Sequence, residues 1–507
     1  MDQETLDRYK KTIRCVSLVP AAVWAVLSYF AGKSIFVFPD PSDKRYALAM
    51  TDYIVCFILA LFVMYMVSFA ILFLIFSRSD GQGRLLEVVK CGLYYLPVLV
   101  AVAAVKLPAG YLSNDEYAIV NDATNLIHDT WFTYLTVYYY IISFMLIPVK
   151  YGPIFVKLIL EFFVAGYVLY RSRAYFGKRT GLVMYVLFLM YPVIAYTTSA
   201  HRLPVYFLLY LLVFAKMLFD RLENKDIGTS EVFFLLLAGA VLTQWRTEGI
   251  YLFVLLPVLL LIVYPHLRSK KTAICMIVSY IAIQLVISIP QNFITGTDLS
   301  GQANDRMKPF YAYTITNMLR NGLDRDKNAA DLAIVDAYMP IESIDAINEH
   351  FADINYEDVL ILTKEEFAGV RPEAGYSEYY DFSEAVKRIF MNNPDVFLKT
   401  RWGAFCYAAV PYPFSFGLSG VKSLAYNLFI PSAFILAAFL YCLIKRRWFD
   451  LFVFGGLICH WFIVFVLAPA SYFKYYFPVY IMAYFYIFLI ITWLIHKRVA
   501  SSEGAVC

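Results

Sequence analysis

The sequence predicts an all-α polytopic membrane protein. Of its 507 residues, 61% are apolar and only 16% are charged, whereas a soluble domain is about half apolar and about a quarter charged. Uncharged apolar runs of about 20 residues, the length at which a helix crosses a bilayer, recur along the chain. This composition excludes a typical soluble enzyme, a disordered chain and a protein with a uniformly basic surface for nucleic acid.

Twelve transmembrane helices are predicted from these apolar runs. They cover residues 15–32, 53–77, 91–107, 154–170, 181–197, 203–219, 231–245, 250–265, 272–290, 424–444, 450–468 and 475–495. Residues 134–149 are also apolar, but a thirteenth span there would place the basic turn RSRAYFGKR outside. We therefore interpret 134–149 as an interfacial or re-entrant helix on the outer face, which suits its tyrosine cluster.

The basic residues of the short loops predict the orientation, because Lys and Arg are enriched on the cytoplasmic side. With the N-terminus inside, the inner segments contain 22 basic residues and the short outer segments contain 8. Both termini are therefore predicted to be cytoplasmic, and the protein is assigned to the plasma membrane as a multi-pass protein.

The spans and loops divide the chain into four predicted regions. Residues 1–87 contain two extra N-terminal helices, and 88–290 form a membrane core whose first outer loop is 108–153. Residues 291–423 hold 19 acidic and 12 basic side chains, and this charge balance predicts a partly helical extracytoplasmic insert. Residues 424–507 contain the last transmembrane helices and a short cytoplasmic tail.

Acidic residues directly after the third span, in the run SNDEYAIVNDA, are the first site candidates. Asp115 and Glu116 are predicted at the outer membrane surface, where a carboxylate can act as a general base. The same acids also suit the positive end of a helix capped by Ser113 or Asn114. In a helix Asp122 would share a face with Asp115, so these two acids are candidate ligands for a divalent cation such as Mg or Mn.

Ionisable residues near span ends form the second group, because charge at bilayer depth usually faces a cavity or a partner. Lys157 and Glu161 are four residues apart in one span and are predicted to pair. Glu248 lies two residues after Arg246, at the outer end of a predicted span. The predicted outer side carries four basic candidates, which are His201, Arg202, Arg246 and Lys474. Cations near an acid suit a lipid phosphate and a sugar, and the alternative is a set of surface charges that reach the interface.

The order of these features resembles the C-type membrane glycosyltransferases over about residues 88–496. The shared features are a span followed by Asp115-Glu116, the basic turn YRSRAYFGKRTG, the span end LMYPVIAYTTSA, the motif WRTEG and the turn KYYFP, with Lys474 where the family often has Arg. The chain departs from the family pattern in its two extra N-terminal helices and in the outer turn 197–204, which contains no acid.

The resemblance implies an inverting transfer of a sugar from a polyprenyl-phosphate carrier to a hydroxyl of a glycan, lipid or protein acceptor, on the extracytoplasmic face. Asp115 and Glu116 would then be catalytic. The residues that bind substrate would be His201, Arg202, Arg246, Glu248, Lys474 and Tyr475. An apolar groove would accept the isoprenoid chain, and the insert would shape the acceptor site.

Two alternatives stay open. A polymerase or ligase of lipid-linked glycans would need the same outer acids and cations. A flippase or transporter of lipid-linked glycans would need charged sites near the bilayer midplane and pseudo-symmetric halves. Glu161 favours the transporter, whereas the sequence has no internal repeat. In every case the lipid bilayer is a partner and nucleic acid is not.

The predicted topology can be tested by cysteine labelling in a chain from which all eight native cysteines have been removed. A cysteine at position 350, in the insert, is expected to react with a membrane-impermeant maleimide in intact cells. Ser269→Cys, in a predicted inner turn, is the matched control and should react only after permeabilisation. The reverse pattern would contradict the orientation.

Overall fold

The computed structural model describes most of the chain, namely residues 3–76, 80–111, 114–128, 132–197, 202–295, 299–350, 376–410 and 418–503. Within these ranges the chain forms α-helices, short 3-10 helices and turns, without a strand. The predicted all-α class is therefore confirmed.

The α-helices are numbered in chain order. Those that end before residue 296 are α1 (Gln3–Gly32), α2 (Tyr46–Phe76), α3 (Asp80–Leu93), α4 (Leu96–Lys106), α5 (Asn114–Asn125), α6 (Tyr134–Leu146), α7 (Gly152–Phe176), α8 (Tyr185–Leu189), α9 (Tyr191–Thr197), α10 (Leu203–Leu222), α11 (Thr229–Trp245), α12 (Leu252–Val263) and α13 (Lys270–Thr295). The later ones are α14 (Leu299–Arg320), α15 (Ala329–Tyr338), α16 (Ile341–His350), α17 (Tyr376–Asn392), α18 (Pro394–Ala409), α19 (Leu418–Ala425), α20 (Phe429–Ile444), α21 (Trp448–Leu467) and α22 (Phe477–Glu503).

The protein is a multi-pass membrane protein, because its described part contains eight helical segments that are long and apolar enough to cross a bilayer. Two bent helix pairs, α3 with α4 and α8 with α9, raise the number to ten if each pair is one span. Ten of the twelve predicted spans correspond to these segments. The other two, 231–245 and 250–265, correspond to the shorter apolar helices α11 and α12.

Helix length explains this difference. At about 1.5 Å per residue, the 17 residues of α11 extend about 25 Å and the 12 residues of α12 about 18 Å, against a hydrocarbon core of about 30 Å. The α6 helix has 13 residues and is also too short to cross. Its length agrees with the interpretation of 134–149 as a segment that does not span the membrane.

Proline accounts for both bends. The α3 and α4 axes differ by 46°, and those of the 180–189 and 191–197 helical segments differ by 59°. Pro97 and Pro192 are the second residues of α4 and α9, where the missing N–H is tolerated but a continuous helix through the preceding residues is not. Each bend therefore begins a new helix inside an apolar run.

The chain divides into two compact units, and the first comprises residues 1–296 with 481–507. Its most buried helix is α10, which packs against α7, α9, α11 and α12. The α3 and α7 helices cross closely at Gly166, where an added Cβ would lie 2.4 Å from the Val88 carbonyl oxygen. Only glycine permits this approach, as in other close helix crossings within membranes.

The second unit comprises residues 297–480. Four of its helices, α14 to α17, share an apolar core of their own. In the run DLAIVDAYM, Leu332, Val335 and Tyr338 are buried in this core. The insert is therefore helical over its described part, and this run packs within the insert itself.

A buried charged network joins the ends of several helices in the first unit. Asp220 on α10 is fully buried, and its carboxylate accepts hydrogen bonds from Arg171 at 2.9 Å, Lys216 at 3.0 Å and Tyr264 at 2.8 Å. Lys216 also donates to Glu231 at 2.9 Å. The network connects α7, α10 and α11, and each charge in it has an opposite charge within contact distance.

The Asp220 network predicts a large loss of stability when its central charge is removed. Asp220→Asn keeps the side-chain shape but leaves two buried cations facing a neutral amide, which is expected to lower the free energy of unfolding by roughly 3 kcal/mol. Thermal unfolding of the purified protein in detergent measures the effect. Asp226→Asn is the control, since Asp226 pairs with His266 at the exposed surface, and such pairs contribute about 0–1 kcal/mol. Equal melting temperatures for both variants would contradict this account.

Candidate functional site

The α5 helix places its first two acids in different environments. Asp115 and Glu116 both lie in the first turn, where negative charge is favoured by the positive end of the helix. Asp115 is partly exposed, whereas Glu116 is only 1% exposed. Successive helical residues point about 100° apart, which accounts for the difference. Asp115 is thus accessible and Glu116 belongs to the interior.

The buried Glu116 carboxylate lies among phenols and a lysine. It acts electrostatically on Tyr111, Tyr140 and Lys157. Burial raises the pKa of the Tyr111 hydroxyl, and the nearby Tyr151 and Glu116 raise it further. The Tyr111 phenol therefore stays neutral at physiological pH and can donate a hydrogen bond.

Lys157 and Glu161 continue this polar region into the membrane-spanning helix α7. Both residues are fully buried, and they interact electrostatically. The Tyr95 hydroxyl lies 2.8 Å from Glu161 Oε1 and 2.7 Å from the carbonyl oxygen of Phe188. A carboxyl group at this position in an apolar helix indicates either a function or the neutralisation of a nearby cation, because burying a charge is costly.

Arg202 and Glu116 act electrostatically on the same side chain, the buried Tyr140 of α6. The Arg202 carbonyl oxygen accepts a hydrogen bond from Trp245 Nε1 at 3.2 Å, and Trp245 packs edge-to-face on Tyr139 at 5.8 Å between ring centres. An acid, a cation and the WRTEG motif, far apart in the sequence, therefore meet at α6.

Arg246 and Glu248 form a buried ion pair at the break between α11 and α12. Arg246 Nη2 donates to Glu248 Oε1 at 2.7 Å, and Nε donates to Oε2 at 3.3 Å. A Cβ on Gly249 would lie 2.5 Å from the Leu242 carbonyl oxygen, so the turn requires glycine. WRTEG thus builds a tight turn that presents a charge-balanced pair.

The second unit holds Lys474 and Tyr475, in the 3-10 turn Phe473–Tyr476 before α22. Lys474 Nζ lies 4.8 Å from the ring centre of Tyr472, which is a cation–π distance. His460 Nε2 donates a hydrogen bond to the Tyr475 carbonyl oxygen at 3.0 Å. The convergence of Lys474 with the acids of α5 stays a prediction.

The spacing along α5 bears on the predicted divalent cation. Asp115 and Asp122 both lie in α5, and seven residues of helix separate them by about 10 Å along the axis. Ligands of one Mg²⁺ lie about 2.0–2.1 Å from it, so these two acids do not suit a shared ion. Among the described side chains, no group of three or more His, Cys, Asp or Glu is arranged to hold a metal. His201 lies outside the described residues.

Arg401 is a buried cation that the sequence analysis did not select. It is 1% exposed on α18, where Nε donates to the Phe465 carbonyl oxygen at 2.6 Å and Nη2 donates to that of Ala468 at 3.0 Å. These carbonyls belong to the C-terminal end of α21, which favours a cation. The Tyr313 hydroxyl is also hydrogen-bonded to Ser471. Two insert helices thus hold the turn that carries Lys474.

Comparison of the chain with models of known protein families, with curated proteins and with solved structures found no match. The class defined by fold and site is therefore a multi-pass helical membrane protein with a polar cluster of acids and cations at the ends of its apolar helices.

Arg401 is expected to stabilise the end of α21. Arg401→Met keeps most of the apolar stem but leaves carbonyl oxygens without a donor, and each such group costs about 1–3 kcal/mol. The melting temperature of the purified protein should fall clearly. Arg388→Met is the control, since Arg388 pairs with Asp331 at the surface. An unchanged melting temperature in Arg401→Met would exclude the capping role.

Proposed function

We propose that the protein is an integral membrane glycosyltransferase. It moves a sugar from a polyprenyl-phosphate carrier to a hydroxyl acceptor on the extracytoplasmic face, with inversion at the anomeric carbon. The proposal joins the resemblance in motif order to the polar cluster around α5 and α6.

The observation that supports the proposal is the packing of α5 and of the WRTEG turn against α6. Trp245 of that turn packs on Tyr139 of α6 and donates a hydrogen bond to the Arg202 carbonyl oxygen. A reaction of a phosphate-linked sugar requires a carboxylate near the nucleophile and cations near the leaving phosphate. Here the Glu116 carboxylate and the Arg202 guanidinium, from separate parts of the chain, both act electrostatically on the buried Tyr140, and Lys157 interacts electrostatically with Glu116. The partly exposed Asp115 stands beside Glu116 on α5.

In the proposed mechanism Asp115 is the general base. Its carboxylate takes the proton of the acceptor hydroxyl as the hydroxyl oxygen attacks the anomeric carbon. The bond between this carbon and the carrier phosphate oxygen breaks, and the phosphate leaves with the electron pair. Arg202 is the candidate partner of the departing charge, and the phosphate-binding role of Lys474 stays a prediction. Glu116, being buried, balances Lys157 and keeps the first turn of α5 in place.

Arg246 has a narrower role in this scheme. Because its guanidinium already forms a two-point contact with Glu248, its charge is balanced without a ligand. The pair supports the turn next to Trp245, and its predicted contact with substrate stays a prediction. The carrier's isoprenoid chain would occupy the bilayer or a groove open to it.

Glu161 supports a second candidate function, a transporter of lipid-linked glycans. A fully buried carboxyl in a spanning helix is a feature of ion and proton pathways. The two functions separate experimentally, because a transporter moves an intact lipid-linked glycan across a vesicle membrane without releasing the carrier phosphate. A glycan polymerase or ligase would instead accept a lipid diphosphate donor.

The proposed base can be tested with purified protein and a polyprenyl-phosphate sugar donor. Asp115→Asn keeps the side-chain size and most capping ability but removes the basicity. Transfer is expected to fall by about two to four orders of magnitude with folding unchanged, which is the usual contribution of a general base. Release of carrier phosphate measures the rate.

Two further variants are needed to interpret the result. Tyr117→Phe is the matched control, since Tyr117 is exposed on the same helix, and it should retain full transfer. Loss of transfer in Glu116→Gln alone would indicate that Glu116, and not Asp115, is the base. Full transfer in both acid variants would remove α5 from the reaction, and a wild-type protein that transfers no sugar from any polyprenyl-phosphate donor would reject the proposed function.

A further inference from the structure

A second buried polar cluster lies between α2 and α6, away from the residues used above. Asp52 on α2 accepts a hydrogen bond from the Tyr138 hydroxyl at 2.5 Å, through Oδ1. Its Oδ2 lies 2.9 Å from His128 Nε2. The side chains of Asp52 and His128 are 1% and 2% exposed. An acid from the N-terminal helix pair therefore contacts two residues of the first predicted outer loop.

Other contacts of the N-terminal pair fall on the same segment, residues 124–146. The Val37 backbone N–H donates to the Thr124 carbonyl oxygen at 2.8 Å, at the end of α5. Ser28 Oγ donates to the Met145 carbonyl oxygen at 2.5 Å. The first contact holds the beginning of the segment, and the second holds its end.

The last turn of α6 shows how specific this arrangement is. Carbonyl groups at the C-terminal end of a helix lack partners within the helix. Two of them in α6, those of Met145 and Leu146, accept hydrogen bonds from Ser28 Oγ and from Trp24 Nε1, the latter at 3.0 Å. The α1 helix thus completes the end of α6 with its side chains.

The backbone before His128 is also constrained. Leu126 has φ of 53°, a left-handed conformation that is rare for a residue with a branched side chain and persists only where the surroundings determine it. The Ile127 N–H donates to the Asp122 carbonyl oxygen at 2.9 Å. The chain therefore reverses sharply after α5, and this reversal carries His128 to Asp52.

We propose that Asp52 is a positioning residue for the reaction assigned to this protein, so this inference rests on the proposed function. By binding His128 and Tyr138 together, it fixes the end of α5 relative to α6, and with them the carboxylates of α5 relative to Tyr140. The two N-terminal helices then contribute to catalysis by positioning the carboxylates of α5. Asp52 acts through the segment and does not touch substrate.

The groups around Asp52 decide which substitution is informative. On α2, Cys56 is buried one turn further on, and on α6 Tyr134 packs edge-to-face on Tyr138 at 5.0 Å between ring centres. His128 Nε2 must donate to the Asp52 carboxylate. An Asn at position 52 can keep both contacts if His128 adopts its other tautomer, with the amide as donor. An Ala keeps neither.

The experiment therefore compares Asp52→Ala and Asp52→Asn in the full-length purified protein. Asp52→Ala is expected to lower kcat for sugar transfer by about 100-fold, since misplacing reactive groups by about 1 Å has an effect of this size. The KM for the donor should stay within about twofold, and Asp52→Asn should restore most of the rate. Asp43→Ala, in the exposed loop before α2, is the control and should leave kcat unchanged.

Hydrogen–deuterium exchange of residues 124–146 gives a readout that does not require the reaction. Asp52→Ala should exchange faster across this segment, and Asp52→Asn should resemble the wild type. Unchanged exchange, or an unchanged kcat in folded Asp52→Ala, would overturn the inference. If wild-type protein transfers no sugar, the proposed function fails, and faster exchange in Asp52→Ala would then support only the placement of the segment by Asp52.

Discussion

The structure depends on one constraint, which is that an apolar chain must satisfy its buried polar groups from within. Helices do this for the backbone, and the side chains follow the same rule. Thr243 hydroxyl, for example, donates to a carbonyl oxygen one turn back on its own helix. Asp220 collects three donors, and the carbonyls at the end of α6 receive donors from α1. Asp220 and the end of α6 thus find partners in other helices, and such contacts help to determine which helices pack together.

The candidate site follows from the same requirement. Polar groups gather where apolar helices end, because only there can charges combine contact with protein and access to water. The first turn of α5, the beginning of α10 and the break after α11 are three such ends. The α6 helix packs against α5 and α11, and Trp245 at the end of α11 donates to the carbonyl oxygen of Arg202, just before α10. A short helix that does not cross the bilayer can therefore bring together side chains from three separate parts of the chain.

The fold class and the location of ten of the twelve predicted spans could be read from the sequence, because hydropathy reports directly on the transfer of side chains into lipid. The lengths of α11 and α12 could not, since they depend on where a 3-10 turn and Gly249 interrupt the backbone. The ion pair of Arg246 with Glu248 was within reach of sequence reasoning because the residues are neighbours. The contact of Asp52 with His128 was not, because it joins residues 76 positions apart, and the lone acid in an apolar helix was its only signal. The difference in burial between Asp115 and Glu116 required the orientation of α5.

The Tyr95 hydroxyl described above has a consequence for the protonation state of α7. It has one hydrogen but lies within hydrogen-bonding distance of two oxygens, one of Glu161 and one of Phe188. A single hydrogen cannot serve both, whereas both contacts are complete when Glu161 is a neutral carboxylic acid that donates to Tyr95, which in turn donates to Phe188. Tyr95, at the break between α3 and α4, then links α7 to α8 through two complete hydrogen bonds.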